Sequence, residues 1–260
     1  MPVHETTGVV LEGMDLGEKD RLITFYCRNE GLLRLAVPGA KDYRKGKAGL
    51  LQKFCWNDIK YYQKNKQESL GSINDVTKRR LFSRLREDLS GFSYGSYVLE
   101  FYKKAGTGQA DPLFFNHLVK TLALLSAAEK KKEFKLIHVI FRLRALIILG
   151  FKPEILQCKN CGRKFSASGI KQNERVVLSL SEGAIICCAE ADPAGGKFPL
   201  DKLTFDMLNY FIKEGFEAIQ GEYEYFGEER LDYLHKIIEK FINYHLDLSL
   251  NSNRFLSGLN

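Results

Sequence analysis

The sequence predicts an α+β chain: a five-stranded barrel at the N-terminus, then an α-helical domain carrying a small cysteine-bearing β insertion. Three observations predict it. Apolar and polar residues alternate in short runs up to about residue 75, apolar residues then recur every three or four positions, and 157–198 is rich in Gly, Ser and Cys. The 260 residues suffice for two domains on a prior of roughly 100–200 residues each. They are placed at 1–78 and 79–260, with the insertion at about 157–198.

The strands come first. The runs 8–11 and 22–26 are β-branched and apolar. Leu33, Leu35 and Val37 alternate with Arg34 and Ala36, and Cys55, Asn57, Ile59 and Tyr61 alternate with Trp56, Asp58 and Lys60. The stretch 69–73 is a weaker fifth strand. Polar turns at 15–20, 29–31 and 63–68 separate the runs, as strand punctuation requires. Five short strands suit a closed barrel, of which the OB-fold is a common example; spacing alone equally allows an SH3-like barrel.

Helices follow. Leu81, Leu85 and Leu89 lie four apart and open the helical region. Asp111 and Pro112 mark a helix start, Asp as N-cap and Pro at the first helical position; Phe115, Leu118, Leu122 and Leu125 then line one face. A helix over 134–149 ends at Gly150, with Pro153 beyond, a C-terminal signature. Further helices are predicted at 203–213 and 229–248. The insertion holds short apolar runs at 176–180 and 184–186.

The net charge of +7 and pI near 9.0 favour a polyanionic partner. No stretch approaches the ~18 apolar residues of a membrane span, and the N-terminus has no signal pattern, so a cytoplasmic protein without membrane contact is expected. Its six cysteines are then thiols or metal ligands.

Three constellations could carry chemistry. Cys158 and Cys161, followed by Gly162, have the spacing that turns two thiolates toward one metal; Cys187 and Cys188 lie downstream. Adjacent cysteines bite a tetrahedral ion poorly, and Glu190 stands where a second such spacing would place a ligand. The alternatives are a four-ligand zinc site and a vestigial knuckle that folds without metal. The second constellation is the basic stretch with Lys41, Tyr43, Arg44, Lys45, Lys47 and Lys53, close in sequence to Trp56. Cations neutralise phosphates and aromatic faces stack on bases; a solvated charged loop is the plainer reading. The third is Lys78, Arg79, Arg80, Arg84 and Arg86, placed on the first helix after the barrel, where Arg80 and Arg84 share a face. It could extend a phosphate track or be a solvated face. No P-loop, dinucleotide fingerprint, nucleophile elbow or paired-histidine motif occurs, so no enzyme and no catalytic residue is expected.

Several segments in order resemble the RecO family of bacterial recombination mediators. They are the run 8–24 with Gly17, Glu18, Asp20 and Arg21, then 31–34 with Arg34, 38–41, and the helix segment 85–89. Next come 141–153 with Cys158, Cys161 and Gly162, and finally 241–246 and 252–256. The resemblance implies an OB-fold, a helical domain and a zinc-knuckle insertion. It implies binding of single- and double-stranded DNA, annealing of complementary strands, contact with the tail of single-stranded-DNA-binding protein (SSB), and cooperation with RecR to load RecA. Nucleoid association would follow. Two departures stand out: the expected fourth cysteine falls at Glu190, with Cys188 displaced, and Arg142 stands where the family often has Glu.

The expected DNA contacts are Arg21, Arg34, Lys41, Tyr43, Arg44, Lys45, Lys47, Lys53, Arg79, Arg80 and Arg84. The expected metal ligands are Cys158, Cys161, Cys187 and Cys188, with Glu190 the rival fourth. For the SSB tail, Ile140, Leu143 and Ile147 are the candidate floor of a groove, with Arg142 and Arg144 as its rim. The rival binding function is a transcription or RNA-binding factor; a nuclease or thiol oxidoreductase is the enzymatic rival, without an acidic cluster or redox context to support it.

Overall fold

The computed structural model describes residues 3–40, 48–64, 70–165, 170–171, 174–187, 189–220, 227–252 and 256. The chain divides into two compact units, Met1–Ala128 with Leu250–Asn260, and Glu129–Ser249.

The first unit is built on a closed barrel. Its strands are β1 (Val3–Leu16), β2 (Asp20–Cys27), β3 (Gly31–Val37), β4 (Cys55–Tyr62) and β5 (Gly71–Leu81), in the order β1-β2-β3-β5-β4. The expected barrel is thus present, and its order is that of an OB-type fold. Alternation sorts the side chains: Ile23, Phe25, Leu35, Ile59 and Tyr61 point into a core that also takes Val10, Ile73 and Val76.

The fifth strand differs from its sequence reading. It runs to Leu81, antiparallel to β4 with Cys55 opposite Leu81, so Lys78, Arg79 and Arg80 lie on a strand and not on a helix. The leucine spacing of four from Leu81 misled, because pairing along the whole of β4 outweighs a local helical period. The helices begin later, with the single turn α1 (Arg84–Glu87) and then α2 (Leu89–Ala105) and α3 (Pro112–Ala127).

Asp88 caps α2 through Gly91 N, and Asp111 caps α3 through Phe114 N at 2.9 Å with Pro112 at the first position, as the sequence signals require. These two helices cover an outer face of the barrel. Tyr26 of β2 meets Tyr102 and Phe114 edge-on, with ring centroids 5.1 and 5.6 Å away, and Trp56 of β4 meets Phe115 at 6.1 Å. The Tyr102 hydroxyl donates to Phe114 O at 2.8 Å. That face is therefore occupied by packing.

The second unit holds α4 (Lys131–Ile148), α5 (Lys202–Glu214) and α6 (Glu228–Leu246), with a sheet of β6 (Glu154–Cys158), β7 (Val176–Ser179), β8 (Ala184–Ile186) and β9 (Lys197–Leu200) in the order β6-β8-β7-β9. After α4, Gly150 takes φ +88°, the conformation its position predicted. No described helix is long and apolar enough to cross a membrane.

Candidate nucleic-acid interface and metal-binding cluster

Barrel topology decides which cations can act together. β1 and β3 end, and β2 starts, at one end of the barrel: Leu16 pairs with Asp20 and Arg21 with Val37. β4 starts there and β5 ends there, since β4 is antiparallel to both β1 and β5. This end therefore carries Arg21, Lys53, Arg79, Arg80 and Arg84. The connection 41–47, with Lys41, Tyr43, Arg44, Lys45 and Lys47, lies outside the described residues. Its flanks belong to the same end: Gly39 N donates to Asp20 Oδ1 at 2.8 Å, and 48–51 forms a 3-10 turn before β4.

The individual side chains differ. Arg21 is about a quarter exposed, its Nε 3.8 Å from Asp15. Arg79 occupies the β-bulge where Trp56 faces Arg80 and Asn57 faces Lys78. It donates to Asp58 Oδ1 at 2.7 Å and lies 5.5 Å from the Trp56 ring centroid, so a phosphate would compete with an acid for it. Arg80 is exposed, 5.0 Å from the Phe82 ring. Arg84 is exposed on α1. Arg86 binds Gln52 and reaches Cys55 Sγ at 3.5 Å, pinning the segment before β4. Arg34 is exposed farther back on β3, opposite Thr24, and is not gathered with the others.

Lys53 lines a groove of about 490 Å³ between β1 and α2, with Leu11, Phe92, Leu99 and Lys103. Sequence reading missed this groove. Its signal was a second stripe on α2, Leu89, Phe92, Ser96, Leu99 and Lys103, distinct from the buried Tyr94, Tyr97, Val98 and Phe101.

On α4, Arg142 is completely buried, as are Ile140 and Leu143. A rim cation must meet solvent, and these residues do not. Arg144 and Ile147 are partly exposed, and the Arg144 side chain passes beside Gly215.

The cysteine cluster is assembled by β6 and β8, which run parallel with Cys158 opposite Ile185. Cys158, Cys161 and Cys187 bring their sulfurs within 4.8 Å of one another. Gly162, at φ +71°, donates its N–H to Cys158 O at 3.0 Å and closes the turn. Cys187 N donates to Cys158 Sγ at 3.3 Å, and the Cys161 and Cys187 sulfurs are 3.4 Å apart. Burial acts to raise the Cys158 thiol, but N–H groups of Cys187, Cys161 and Asn160 and the Cys187 thiol bring it down to about 6. Three converging sulfurs, one favoured as thiolate, suit a thiophilic metal ion. Cys188 lies outside the described residues, and Glu190 is exposed and not in the cluster. Cys27 and Cys55 are buried in the barrel without a bridge, and burial pushes both thiols up.

Two family models match the chain: "Recombination protein O N terminal" over residues 1–82 and "Recombination protein O C terminal" over residues 86–254. Curated relatives called DNA repair protein RecO include that of Alkaliphilus metalliredigens, 29% identical with 94% of each chain covered. That of Halalkalibacterium halodurans is 26% identical, covering 98% of this chain and 95% of the relative. That of Gloeobacter violaceus is 25% identical over 97% and 92%. An OB-type barrel, a helical remainder with a cysteine-bearing insertion, and matches that together span nearly the whole sequence lead to one conclusion: the chain belongs to the RecO family of DNA repair proteins.

Proposed function

We propose that this chain is a non-enzymatic recombination mediator that binds single- and double-stranded DNA and anneals complementary strands. In this reading it works with RecR to help load RecA on SSB-coated DNA. The observation that supports it best is the barrel end that gathers Arg21, Lys53, Arg79, Arg80 and Arg84 and carries both flanks of 41–47. Five more groups from that connection, Lys41, Tyr43, Arg44, Lys45 and Lys47, would complete a phosphate- and base-contacting surface, with Arg34 outlying on β3. Such a surface holds a strand by charge and stacking and leaves bases available for pairing. For the SSB tail, Arg144, the one of the two candidate rim arginines that solvent reaches, is assigned to the peptide carboxylate in preference to the buried Arg142.

In the same reading Cys158, Cys161 and Cys187 would hold a zinc ion, with Cys188 preferred to Glu190 as a fourth ligand. The ion would supply folding free energy and no reaction step. Metal analysis of protein purified without chelator is expected to give one zinc per chain, and a negligible content with an ordered insertion would mean a vestigial knuckle.

The deciding experiment is annealing of SSB-coated complementary strands with and without RecR. The mediator reading expects annealing well above the spontaneous rate; a protein that binds RNA or duplex promoter DNA yet leaves SSB-coated strands apart would be a transcription or RNA-binding factor.

A further inference from the structure

We propose that Cys161 and Cys187 are a peroxide-oxidisable pair, so that the insertion carries a reversible disulfide switch. The two sulfurs lie 3.4 Å apart, about 1.4 Å beyond a disulfide bond length of about 2.05 Å. The backbone already holds the two segments together. Lys159 N donates to Ile185 O at 2.9 Å, and Cys187 N donates to Cys158 Sγ at 3.3 Å. Closing the bond therefore moves side chains more than strands.

The three cysteines are not equivalent. Cys161 is exposed, Cys187 is half-buried, and Cys158 is buried with its sulfur engaged by the Cys187 amide. Peroxide reaches Cys161 first. The Cys161 thiolate attacks one peroxide oxygen; the O–O bond breaks, the sulfur is oxidised to a sulfenic acid, and the departing oxygen leaves as water. The Cys187 thiolate then attacks the Cys161 sulfur. The S–O bond breaks, the S–S bond forms, and a second water departs. In sum two thiols and one peroxide give one disulfide and two waters. An external dithiol reverses it by exchange. The disulfide takes two of three clustered sulfurs out of any ligand set, so oxidation would also release a bound metal. That consequence, though not the disulfide, rests on the metal reading above.

The test treats full-length protein, chelated and metal-loaded, with hydrogen peroxide, followed by alkylation and mass spectrometry. In the chelated protein the free thiols are expected to fall from six to four and to return with dithiothreitol. Tryptic mapping is expected to join the fragment 160–163, which contains only Cys161, to the fragment 176–197, which contains Cys187 and Cys188. Cys188→Ser should keep the cross-link and Cys187→Ser should lose it. Circular dichroism of each variant confirms that it folds, and the wild-type map stands without them. An unchanged thiol count overturns the proposal, as does a cross-link through Cys158 or one that survives Cys187→Ser. In metal-loaded protein, peroxide should release zinc to a chelating dye in step with thiol loss. A protein that binds no zinc but forms the disulfide removes the metal reading alone; one that binds zinc and never forms the disulfide removes this proposal alone.

Discussion

Glu100, on α2, fastens the C-terminal segment of the first unit. Its carboxylate accepts the N–H groups of Asn251 and Ser252, both at 2.9 Å, and meets the Ser252 hydroxyl and Lys104. Burial acts to raise its pKa, but these hydrogen bonds prevail and bring it down to about 2. The folded value lies below the unfolded one, so the stabilisation is complete above the ordinary carboxylate range and fades as pH falls through about 4 toward 2. Glu100→Ala is expected to cost about 1–2 kcal/mol at pH 7, the lower part of the range for charged hydrogen bonds because solvent reaches part of the carboxylate. Urea unfolding at pH 7 and pH 3 checks it: the gap between wild type and variant should shrink at pH 3, and an equal gap would refute the assignment. In the second unit the sign is reversed in origin but not in direction. Burial, then Arg142 and His235, hold His138 well below its usual range; burial, then Arg142, Lys135 and Lys236, lower His235 to about 2. Both stay neutral in the fold while the unfolded chain takes up protons near 6.5. Stability is then complete above about pH 6.5 and falls below it, by up to about 1.4 kcal/mol per pH unit for each histidine. Replacing both by Leu should flatten the decline of the urea midpoint between pH 7 and pH 5; an undiminished slope would place the proton uptake elsewhere.

At the scale of elements, α2 is seated on the barrel by an absence of side chain. A Cβ at Gly95 would stand 2.8 Å from Phe54 Cε1, and Phe54 is itself fully buried at φ +69°, so it has little room to yield. Gly95→Ala is expected to lower stability by about 1–3 kcal/mol through overpacking, despite the better helix propensity of Ala; thermal unfolding of the variant checks it, and an unchanged midpoint would mean that Phe54 can move. Such close approaches leave no pattern in the sequence, whereas caps do. Asp111–Pro112 announced α3 because a side-chain acceptor and a preset φ are local chemistry, and Gly150 announced the end of α4 for the same reason. The Cys-x-x-Cys-Gly turn was legible likewise, since both thiols and their turn lie within five residues. What was not legible depends on partners far along the chain. β5 keeps its strand through Arg79 and Arg80 because β4 lies beside them, and α4 hides Arg142 because neighbouring elements bury that helix on nearly every side. Periodicity assigns charge to solvent only where one helix face remains open.

Over the whole molecule, charge is organised by where strands begin and end. A net charge of +7 spread evenly would attract a polyanion weakly from all directions. Instead the barrel end collects Arg21, Lys53, Arg79, Arg80 and Arg84, and the basic connection departs from and returns to it. The members are unequal. Arg79 gives its Nε–H to Asp58, and Arg21 lies near Asp15, so each must exchange an acid for a phosphate and yields less net attraction. Exposed Arg80, 5.0 Å from the Phe82 ring, should therefore contribute more to the salt dependence of single-strand binding than Arg79 or Arg21 does. Replacing Lys41, Arg44, Lys45 and Lys47 together by Ala is expected to weaken binding and to flatten the plot of log affinity against log salt by up to ~0.7 for each phosphate no longer neutralised. Arg79→Ala should flatten it less than Arg80→Ala does. Titration of a labelled oligonucleotide at several salt concentrations reads all three slopes. An unchanged slope in the fourfold variant with a flattened one in Arg80→Ala would move the interface onto β5 and α1. Unchanged slopes in every variant would detach DNA binding from this end of the barrel altogether, since no release of counterions could then be traced to it.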